Sequence, residues 1–517
     1  MKESAVGKDH SSHKLQTILA SPIVQFLICI AASLITRAST FGDPAIHIDE
    51  DFYFLVGHMM HDGAVVYVDV WDRKPWGLFF IYYLIAGLSD SPVAYQLAAS
   101  LAAGATAWLI ARIASRLTNG RGAVAAGIVY LASLTVLGGI GGQAPVFYNL
   151  LIVAAYWLIV RNLPALRAGS IPGQVYGAML LGGLAITLKQ TTVFEALFLG
   201  LFTTYALVKA GLSARRLLPT ILLFGVLGIG PSALIAVWYG WAGYWPEYYH
   251  AMFASNLHRF YESPTVRVLR IVVLVLLILP FLAAAGFAIA RHRRDEKVYP
   301  WRDFLCGWLV AAFAGFVVVP NFVQHYALPL MVPLAVVAAP LLGRKDFGLL
   351  VAASITAYLL YFGDAFNFSR HSTSARNMAA LAQAMHDRSP NGTALVYDAP
   401  PYLYRMSGLK PLSPLVFPNH LSEMLEWNVS HLNTAAELDR VLAAGPGVVA
   451  IPTKPRAMAP YTKGRAEVRA YVATHCRFVA ESSTFDMKRN DVIQIFGDCR
   501  KPGNSDADMR LNSVANL

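Results

Sequence analysis

Charged residues are scarce in this chain. Asp, Glu, Lys and Arg make up 14% of its 517 residues, against about 25% in an ordinary soluble protein. The sequence has four cysteines, and it contains neither a phosphate-binding loop of the GxxxxGK[ST] type nor a GxGxxG dinucleotide-binding motif. The scarcity of charge excludes an ordinary soluble protein, and the missing ATP-binding loop argues against a self-contained ATP-driven pump.

Long apolar runs take the place of the missing charge, since 56% of the residues are hydrophobic. Most runs have about 17–25 residues, the length that a helix needs to cross a bilayer, and they lack the alternating polarity of a membrane β-barrel. We therefore predict a polytopic α-helical membrane protein with about eleven transmembrane helices. The predicted spans are 17–37, 91–114, 122–139, 145–161, 173–189, 191–208, 218–240, 268–290, 303–320, 326–342 and 347–363.

The net charge of +11 is distributed in a way that indicates membrane orientation. Basic residues concentrate in every second connecting segment, as the positive-inside rule requires of cytoplasmic loops. This pattern predicts a cytoplasmic N-terminus and, with an odd number of spans, an extracytoplasmic C-terminal region. The first apolar run lacks a clear A-x-A cleavage site, so we expect an uncleaved anchor. No basic groove interleaved with aromatic residues is visible, and we expect no nucleic-acid partner.

The composition changes to that of a soluble domain near the end of the last span. We predict a transmembrane domain over 1–363, with a first external loop at 38–90, and an extracytoplasmic α/β domain over 364–517. The predicted elements of the second domain are a helix at 375–387, strands at 393–398 and 447–452, a helix ending near Ala444, a helix at 464–475 and a hairpin with strands at 477–483 and 491–497.

Two of the four cysteines flank the predicted hairpin. Cys476 precedes its first strand and Cys499 follows its second, and the ends of antiparallel strands meet. We expect a disulfide between them outside the cytoplasm, where such bonds persist, with two unpaired buried thiols as the alternative. Cys29 and Cys306 fall in predicted spans, where cysteine packs as a small apolar residue.

An acidic and aromatic segment lies between the first two long apolar runs, from His47 to Gly77. Its first part, 49–62, predicts a short helix that lies along the membrane surface, with Gly63 after its end. The carboxylates of this segment are Asp49, Glu50, Asp51, Asp69 and Asp72.

Three acids in one first helical turn exceed what helix stability requires. A single acid there stabilises the helix dipole by about 0.3–1 kcal/mol, so the cluster favours a chemical role, and capping stays the alternative. Adjacent helical residues point about 100° apart. We therefore expect only one of Asp49 and Glu50 to face the reacting atoms.

Lys74 follows this helix and precedes Pro75, which suits the start of the next helix. A lysine near a helix N-terminus lies at a natural anion site. The alternative is a lysine that extends its ammonium group to lipid phosphates.

Four further polar residues fall near the predicted external ends of spans. Lys189 ends one span, His325 and Tyr326 begin another, and Arg259 lies in an aromatic loop at 241–264. An ionisable residue at such a depth indicates function, although a structural histidine, a snorkelling lysine and an aromatic membrane belt remain alternatives.

We expect no cofactor. His58 and His61, spaced i and i+3 beside Asp62, are the one metal alternative that the spacing suggests.

These motifs resemble those of GT-C glycosyltransferases that use lipid-phosphate sugars. The resemblance is to bacterial family 39-like proteins, which are related to protein O-mannosyltransferases and lipid A aminoarabinose transferases. It rests on four segments of this chain, of which the first loop is the most specific. They are DEDFYFLVGHMMHDG at 49–63, YVDVWDRKP at 67–75, HYALPLMVP at 325–333 and LVYDAPPYLYRMSGLKP at 395–411.

The resemblance implies roles for the residues of the first loop. Asp49 would be the catalytic carboxylate with Glu50 beside it, and Lys74 would meet the donor phosphate. Apart from the resemblance, the leaving phosphate needs positive charge, which Lys74 and Arg259 could supply. The family's Pro-Pro after the lysine is Pro75-Trp76 in this chain, a departure that leaves the role of the lysine open. The residues expected to line the substrate cavity are Tyr53, Asp69, Asp72, Lys189, His325 and Tyr326.

The expected function is transfer of one sugar, with inversion, from a polyprenyl-phosphate donor to a hydroxyl group of an extracytoplasmic acceptor. The acceptor classes are lipopolysaccharide or lipid A, another surface glycan and protein, and the expected location is the inner or plasma membrane. Three alternatives stay open: a transporter or flippase, a glycan polymerase or ligase, and a non-catalytic assembly protein.

Overall fold

The computed structural model describes residues 16–257, 260–291, 301–486 and 489–501. Over these residues the chain is mostly helical, with one small sheet. In chain order the helices are α1 Pro22–Arg37, α2 Ile48–His61, α3 Trp76–Ala86, α4 Val93–Ala114, α5 Gly120–Val136, α6 Ala144–Arg167, α7 Gly173–Ile186, α8 Val193–Lys209, α9 Ala214–Trp241, α10 Trp245–Tyr249, α11 Ser255–Leu257, α12 Pro264–Arg291, α13 Arg302–Val317, α14 Leu328–Leu342, α15 Gly348–Gly363, α16 Phe368–Asp387, α17 Leu403–Ser407, α18 Asn419–Ser422, α19 Thr434–Ala444 and α20 Thr462–His475.

Every predicted span coincides with a helix, but the helices differ in length from the prediction. Within the described residues, eight helical segments are long and apolar enough to cross a membrane. The other three, α5, α7 and α13, have 17, 14 and 16 residues. At 1.5 Å per residue these are shorter than the roughly 30 Å hydrocarbon layer. The chain is a multi-pass membrane protein, and each of the eleven predicted spans coincides with a helix of the described residues.

The chain folds into two compact units, each made of segments that are separate in the sequence. Unit 1 comprises Met1–Ser39, Gln96–Ile235 and Ser263–Asn367, and unit 2 comprises Thr40–Tyr95, Ala236–Glu262 and Phe368–Leu517. The domain boundary drawn from composition at 363/364 lies close to Asn367, where unit 1 ends. Most of the loop at 38–90, however, belongs to unit 2, because α2 and the residues after it pack with the C-terminal region.

Small residues allow the helices of unit 1 to approach closely. A Cβ atom added at Gly122 of α5 would come within 2.5 Å of the carbonyl oxygen of Ala339 in α14. One added at Gly127 would lie 2.8 Å from the carbonyl oxygen of Ala107 in α4. Membrane helices associate mainly through such close packing, since lipid tails provide no hydrophobic drive between them.

Unit 2 contains a five-stranded sheet with the order β2-β1-β3-β5-β4. The strands are β1 Thr393–Val396, β2 Lys410–Pro411, β3 Val448–Pro452, β4 Arg477–Asp486 and β5 Arg489–Gly497. The first three run parallel and the last two are added as an antiparallel hairpin. Leu395 pairs with Val449 and Ala450 pairs with Ile495 in a buried centre, and Cys476 and Cys499 form a disulfide beside the hairpin. The predicted elements of this region are all present.

Candidate active site

Helix α2 carries the acidic cluster, and it begins and ends as the sequence predicts. His47 caps its N-terminus, because its Nδ1 accepts a hydrogen bond from the backbone N–H of Asp49 at 3.2 Å. The chain leaves the helix through Gly63, whose φ of 94° lies in the left-handed region that glycine adopts without strain.

Helix α2 is buried along most of its length, and its predicted position along a membrane surface stays a prediction. Every residue from Asp49 to His58 is buried, and the exposed fractions of Asp49, Glu50 and Asp51 are 9%, 0% and 2%. Burying a carboxylate costs free energy unless it is paired or protonated. Helix capping at about 0.3–1 kcal/mol does not account for three buried acids, so the cluster needs another explanation.

A tight loop after α2 positions Lys74. Tyr67 adopts a left-handed backbone with φ of 74°, and its hydroxyl donates a hydrogen bond to the carbonyl oxygen of Lys74 at 2.9 Å. The Asp72 carboxylate accepts from the backbone N–H of Lys74 at 2.7 Å. Lys74 is thus fixed through its own backbone immediately before Pro75 and α3.

The ammonium group of Lys74 lies between two carboxylates. Its Nζ is 3.6 Å from an oxygen of Asp49 and 3.6 Å from an oxygen of Asp72. The same Nζ lies 5.3 Å from the ring centre of Tyr53 and 5.4 Å from that of Phe417, which are cation–π distances. The group is mostly shielded from water, since the Lys74 side chain is 19% exposed, so its charge is weakly screened.

A histidine from the C-terminal region lies beside Asp72. The Nε2 of His420 is 3.8 Å from Asp72, and its ring packs 4.9 Å from Trp71 and 5.2 Å from Phe417. Burial lowers the pKa of His420 to about 4, although the carboxylate of Asp72 acts in the opposite direction. At neutral pH the imidazole is therefore uncharged, and the positive charge beside Asp49 and Asp72 comes from Lys74.

Burial also affects the pKa of Asp51, another acid in the first turn of α2. It raises the pKa of Asp51 well above its usual value, and the neighbouring charges of Asp486, Glu50 and Asp43 add to the rise. The carboxyl group of Asp51 thus lies in a crowded acidic region that disfavours its charged form. Asp49, in the same turn, lies 3.6 Å from the ammonium group of Lys74.

The predicted site residues of unit 2 separate into two groups. Asp49, Lys74, Asp72 and Tyr53 come together, and Glu50 is fully buried next to Asp49 in the helix. Asp69 instead accepts a hydrogen bond from the backbone N–H of Val65 at 2.8 Å and lines a different cavity, of about 730 Å³, with Asp62 and Arg405. The carboxylate of Asp69 closes the turn between α2 and Trp71, and its predicted place in the substrate cavity stays a prediction.

The residues of the metal alternative point to different partners. The Nε2 of His61 bonds to the carbonyl oxygen of Tyr83, on whose ring it stacks. The Nδ1 of His58 lies 3.4 Å from Asp90, and its Nε2 faces the hydroxyl of Tyr402. These two rings do not form a shared ligand set. Arg259 lies outside the described residues.

Unit 1 brings together the other predicted residues. Lys189 lies with its Nζ 5.1 Å from the ring centre of Tyr326, and the ring of His325 packs against Tyr326 at 4.6 Å. Lys189 and Tyr326 line a small cavity with Tyr148 and Glu195.

Glu195 was missed by the sequence analysis. It is buried in the span Gln190–Lys209, where its carboxylate accepts a hydrogen bond from the indole N–H of Trp308 at 3.0 Å. A single carboxylate inside an apolar run, six positions after Lys189, was the available signal.

No family model matches the chain. Curated relatives include two proteins named undecaprenyl phosphate-alpha-4-amino-4-deoxy-L-arabinose arabinosyl transferase, from Aeromonas salmonicida and Edwardsiella ictaluri. Each is 28% identical to this chain, over 269 and 268 residues respectively, and each match covers 48% of this chain and 46% of the relative. The chain thus spans about half the length of the curated relatives that it matches.

The fold is similar to that of ArnT from Cupriavidus metallidurans, in the apo state and bound to undecaprenyl phosphate. The TM-scores are 0.54 and 0.53 at 14% and 13% identity, covering 91% and 90% of this chain and 97% of each ArnT chain. The apo oligosaccharyltransferase of Archaeoglobus fulgidus gives 0.52 at 10% identity, over 83% of this chain and 69% of that chain. At these identities the likeness shows the fold alone. The predicted polytopic helical fold with a C-terminal α/β region is confirmed.

Proposed function

We propose that this protein is a membrane glycosyltransferase that moves a sugar from a polyprenyl-phosphate donor to an acceptor hydroxyl group. The observation that carries the proposal is the ammonium group of Lys74, held 3.6 Å from both Asp49 and Asp72 in a buried segment. This arrangement offers a base and a cation side by side. The relatives named as undecaprenyl-phosphate aminoarabinose transferases support it.

In the proposed reaction the acceptor oxygen attacks the anomeric carbon of the lipid-linked sugar. The carboxylate of Asp49 takes the hydroxyl proton as the new C–O bond forms. The bond between the anomeric carbon and the phosphate oxygen breaks, and its electron pair leaves with the polyprenyl phosphate. A single displacement of this kind inverts the anomeric carbon.

The leaving phosphate gains negative charge, which a fixed cation stabilises. Lys74 is the proposed partner of this phosphate, with Arg259 assisting. Asp72 then acts as a positioning residue, because it holds both the backbone N–H and the ammonium group of Lys74. Glu50 supports the first turn of α2, and the rings of Tyr53 and Phe417 bound the site at the ammonium group.

The lipid-linked donor explains how a site outside the cytoplasm obtains an activated sugar without nucleotide sugars. We propose a cytoplasmic N-terminus, a C-terminal region on the extracytoplasmic side and a site facing that side. The proposed acceptor is a glycolipid such as lipopolysaccharide or lipid A, another surface glycan or a protein. Lys189, His325 and Tyr326 are proposed to line a substrate-binding cavity in the membrane region.

The test is sugar transfer by Asp49→Asn, with Asp62→Asn as the matched control. Asp62 follows the same helix but is exposed, so its replacement should change the transfer rate little. Removal of a general base should lower kcat by about 10²–10⁴. Transfer is measured from an undecaprenyl-phosphate-linked radiolabelled aminopentose to membrane glycolipids and proteins, after membrane insertion of each variant is verified.

Two results would contradict the proposal. Asp49→Asn with normal insertion and normal transfer would remove the general-base role. A wild-type protein that moves the lipid-linked sugar across a vesicle bilayer but forms no glycosidic bond would indicate a transporter instead. Mass spectrometry of surface glycolipids and proteins from a deletion strain identifies the sugar and the acceptor.

A further inference from the structure

Five apolar side chains form a row that begins with the last residue of α9 and continues along the segment after it. They occur every fourth residue, and the last four lie on the exposed side of α10, the π-helical turn His250–Ala254 and α11. All five are exposed. The members of this aromatic row are Trp241, Trp245, Tyr249, Phe253 and Leu257.

The rings of the row support one another along its length. The centres of Trp245 and Tyr249 are 6.1 Å apart, and Tyr249 stacks on Phe253 at 5.5 Å. The opposite side of the same segment, with Tyr248, Ala251 and Met252, is buried. An outer face this apolar is unlike the solvated face of an ordinary surface helix, and a continuous exposed apolar patch marks an interaction surface.

The place of the segment in the chain identifies the partner of the row. The segment joins two candidate spans, Ala214–Trp241 and Pro264–Arg291, and consecutive spans place both of its ends at the same bilayer surface. The first of these spans is itself apolar and hardly buried, as a lipid-facing helix is. Trp and Tyr rings are enriched at the membrane–water interface, where their apolar bodies and polar tips are both satisfied.

The buried side of the segment leads to Lys74 through direct contacts. Tyr248 stacks on Tyr239 at 4.9 Å and packs against Tyr67 at 5.9 Å. The hydroxyl of Tyr67 lies 3.9 Å from the Met252 sulfur and donates to the carbonyl oxygen of Lys74 at 2.9 Å. The residue that holds the Lys74 backbone therefore packs on the inner side of the exposed row.

We propose that the aromatic row is an interfacial membrane anchor that sets the depth of Lys74 relative to the lipid phosphates. The row inserts into the boundary between headgroups and acyl chains, and its inner side carries Tyr67 and with it Lys74. The occupant of the row is the bilayer itself. The statement about Lys74 rests on the proposed function, whereas the anchor does not depend on it.

The anchor is tested by spin labelling of the full chain in phosphatidylcholine vesicles. A nitroxide is attached to Tyr249→Cys in a Cys29→Ala/Cys306→Ser background that keeps the disulfide between Cys476 and Cys499. Collision rates with oxygen, which partitions into lipid, and with a water-soluble nickel chelate are then compared. Labels at Leu276→Cys in α12 and at the exposed Lys463→Cys in α20 provide the lipid and water references.

The label at position 249 should give a ratio of oxygen to nickel collisions between those of the two references. A ratio equal to that at position 463 would overturn the anchor, because the row would then face water. Protection from both reagents would also overturn it, because another protein surface would cover the row.

The depth statement is tested by the kinetics of Trp245→Ser/Tyr249→Ser/Phe253→Ser. We expect the KM for the bilayer-borne donor to rise by about three- to tenfold with kcat less affected, and the equally exposed Phe478→Ser to change neither constant. An unchanged donor KM beside an interfacial label would overturn the depth statement and leave the anchor. Absence of transfer by the wild-type protein would count against the proposed function, and the labelling experiment would still decide the anchor.

Discussion

Replacement of Lys74 by methionine tests the centre of the proposed site. The variant keeps most of the side-chain volume but leaves the carboxylates of Asp49 and Asp72 without the ammonium group that lies 3.6 Å from each. At that distance and an effective dielectric constant of about 20, each attraction is on the order of 4–5 kcal/mol before desolvation is subtracted.

The net effect on stability is smaller than the sum of these attractions. Removal of one partner from a buried pair typically costs about 3–5 kcal/mol. Lys74 is 19% exposed and Asp49 12% exposed in their side chains, so we expect a loss of about 2–4 kcal/mol for Lys74→Met. Asp72→Asn removes one of the two carboxylates that have lost the ammonium group, and the double variant should recover part of this loss.

The assay is a double-mutant cycle on thermal unfolding in bilayer nanodiscs at one scan rate, with donor KM measured on the same samples. Loss of a charge-assisted bond to the donor phosphate should raise KM by about 10- to 100-fold. Equal unfolding midpoints for Lys74→Met and wild type would refute the buried charge pairing. Strict additivity of Lys74→Met and Asp72→Asn would show that these two residues are not coupled.

Three further predictions concern other parts of the chain. Replacing both Cys476 and Cys499 with alanine opens a link across 23 residues; limited proteolysis should show about 3 kcal/mol lost in the C-terminal region, while the membrane region stays resistant. Burial lowers the pKa of His420 from its ordinary 6.5 to about 4, so protonation favours the unfolded chain. The contribution of His420 to stability should be full above about pH 6.5 and decline toward pH 4. His420→Gln should flatten the pH dependence of the unfolding midpoint. Glu195→Gln retains an acceptor for Trp308, whereas Glu195→Leu leaves that indole N–H unpaired. The leucine variant should have a free energy of unfolding about 1–3 kcal/mol lower than the glutamine variant. Equal unfolding midpoints for the two variants would contradict the hydrogen bond between Trp308 and Glu195.

The burial of the acids connects stability with the proposed chemistry. Asp49 lies beside Lys74, whereas burial and the surrounding acids raise the pKa of Asp51. Two carboxylates of one helical turn therefore have different electrostatic environments. Neighbouring carboxyl groups with different electrostatic environments are common at catalytic sites, where one group must be ionised while its neighbour is not.

Local patterns in the sequence determined the elements. Apolar runs of spanning length predicted the membrane helices, and the positions of the C-terminal strands and helices followed from periodicity and turn residues. The helix at Ile48–His61 and its glycine terminus were predicted in the same way. These features depend on residues close together in the chain, so a single sequence contains the necessary information.

Only the tertiary structure decided which of the polar residues meet. Asp69 and Asp72 are three positions apart in one motif, yet one closes a turn at Val65 and the other holds Lys74. His420 and Phe417 reach the site from a segment more than three hundred residues away, and no local pattern indicated either. Periodicity reports which way a side chain points from its own element, whereas burial and pairing depend on the elements that pack against it.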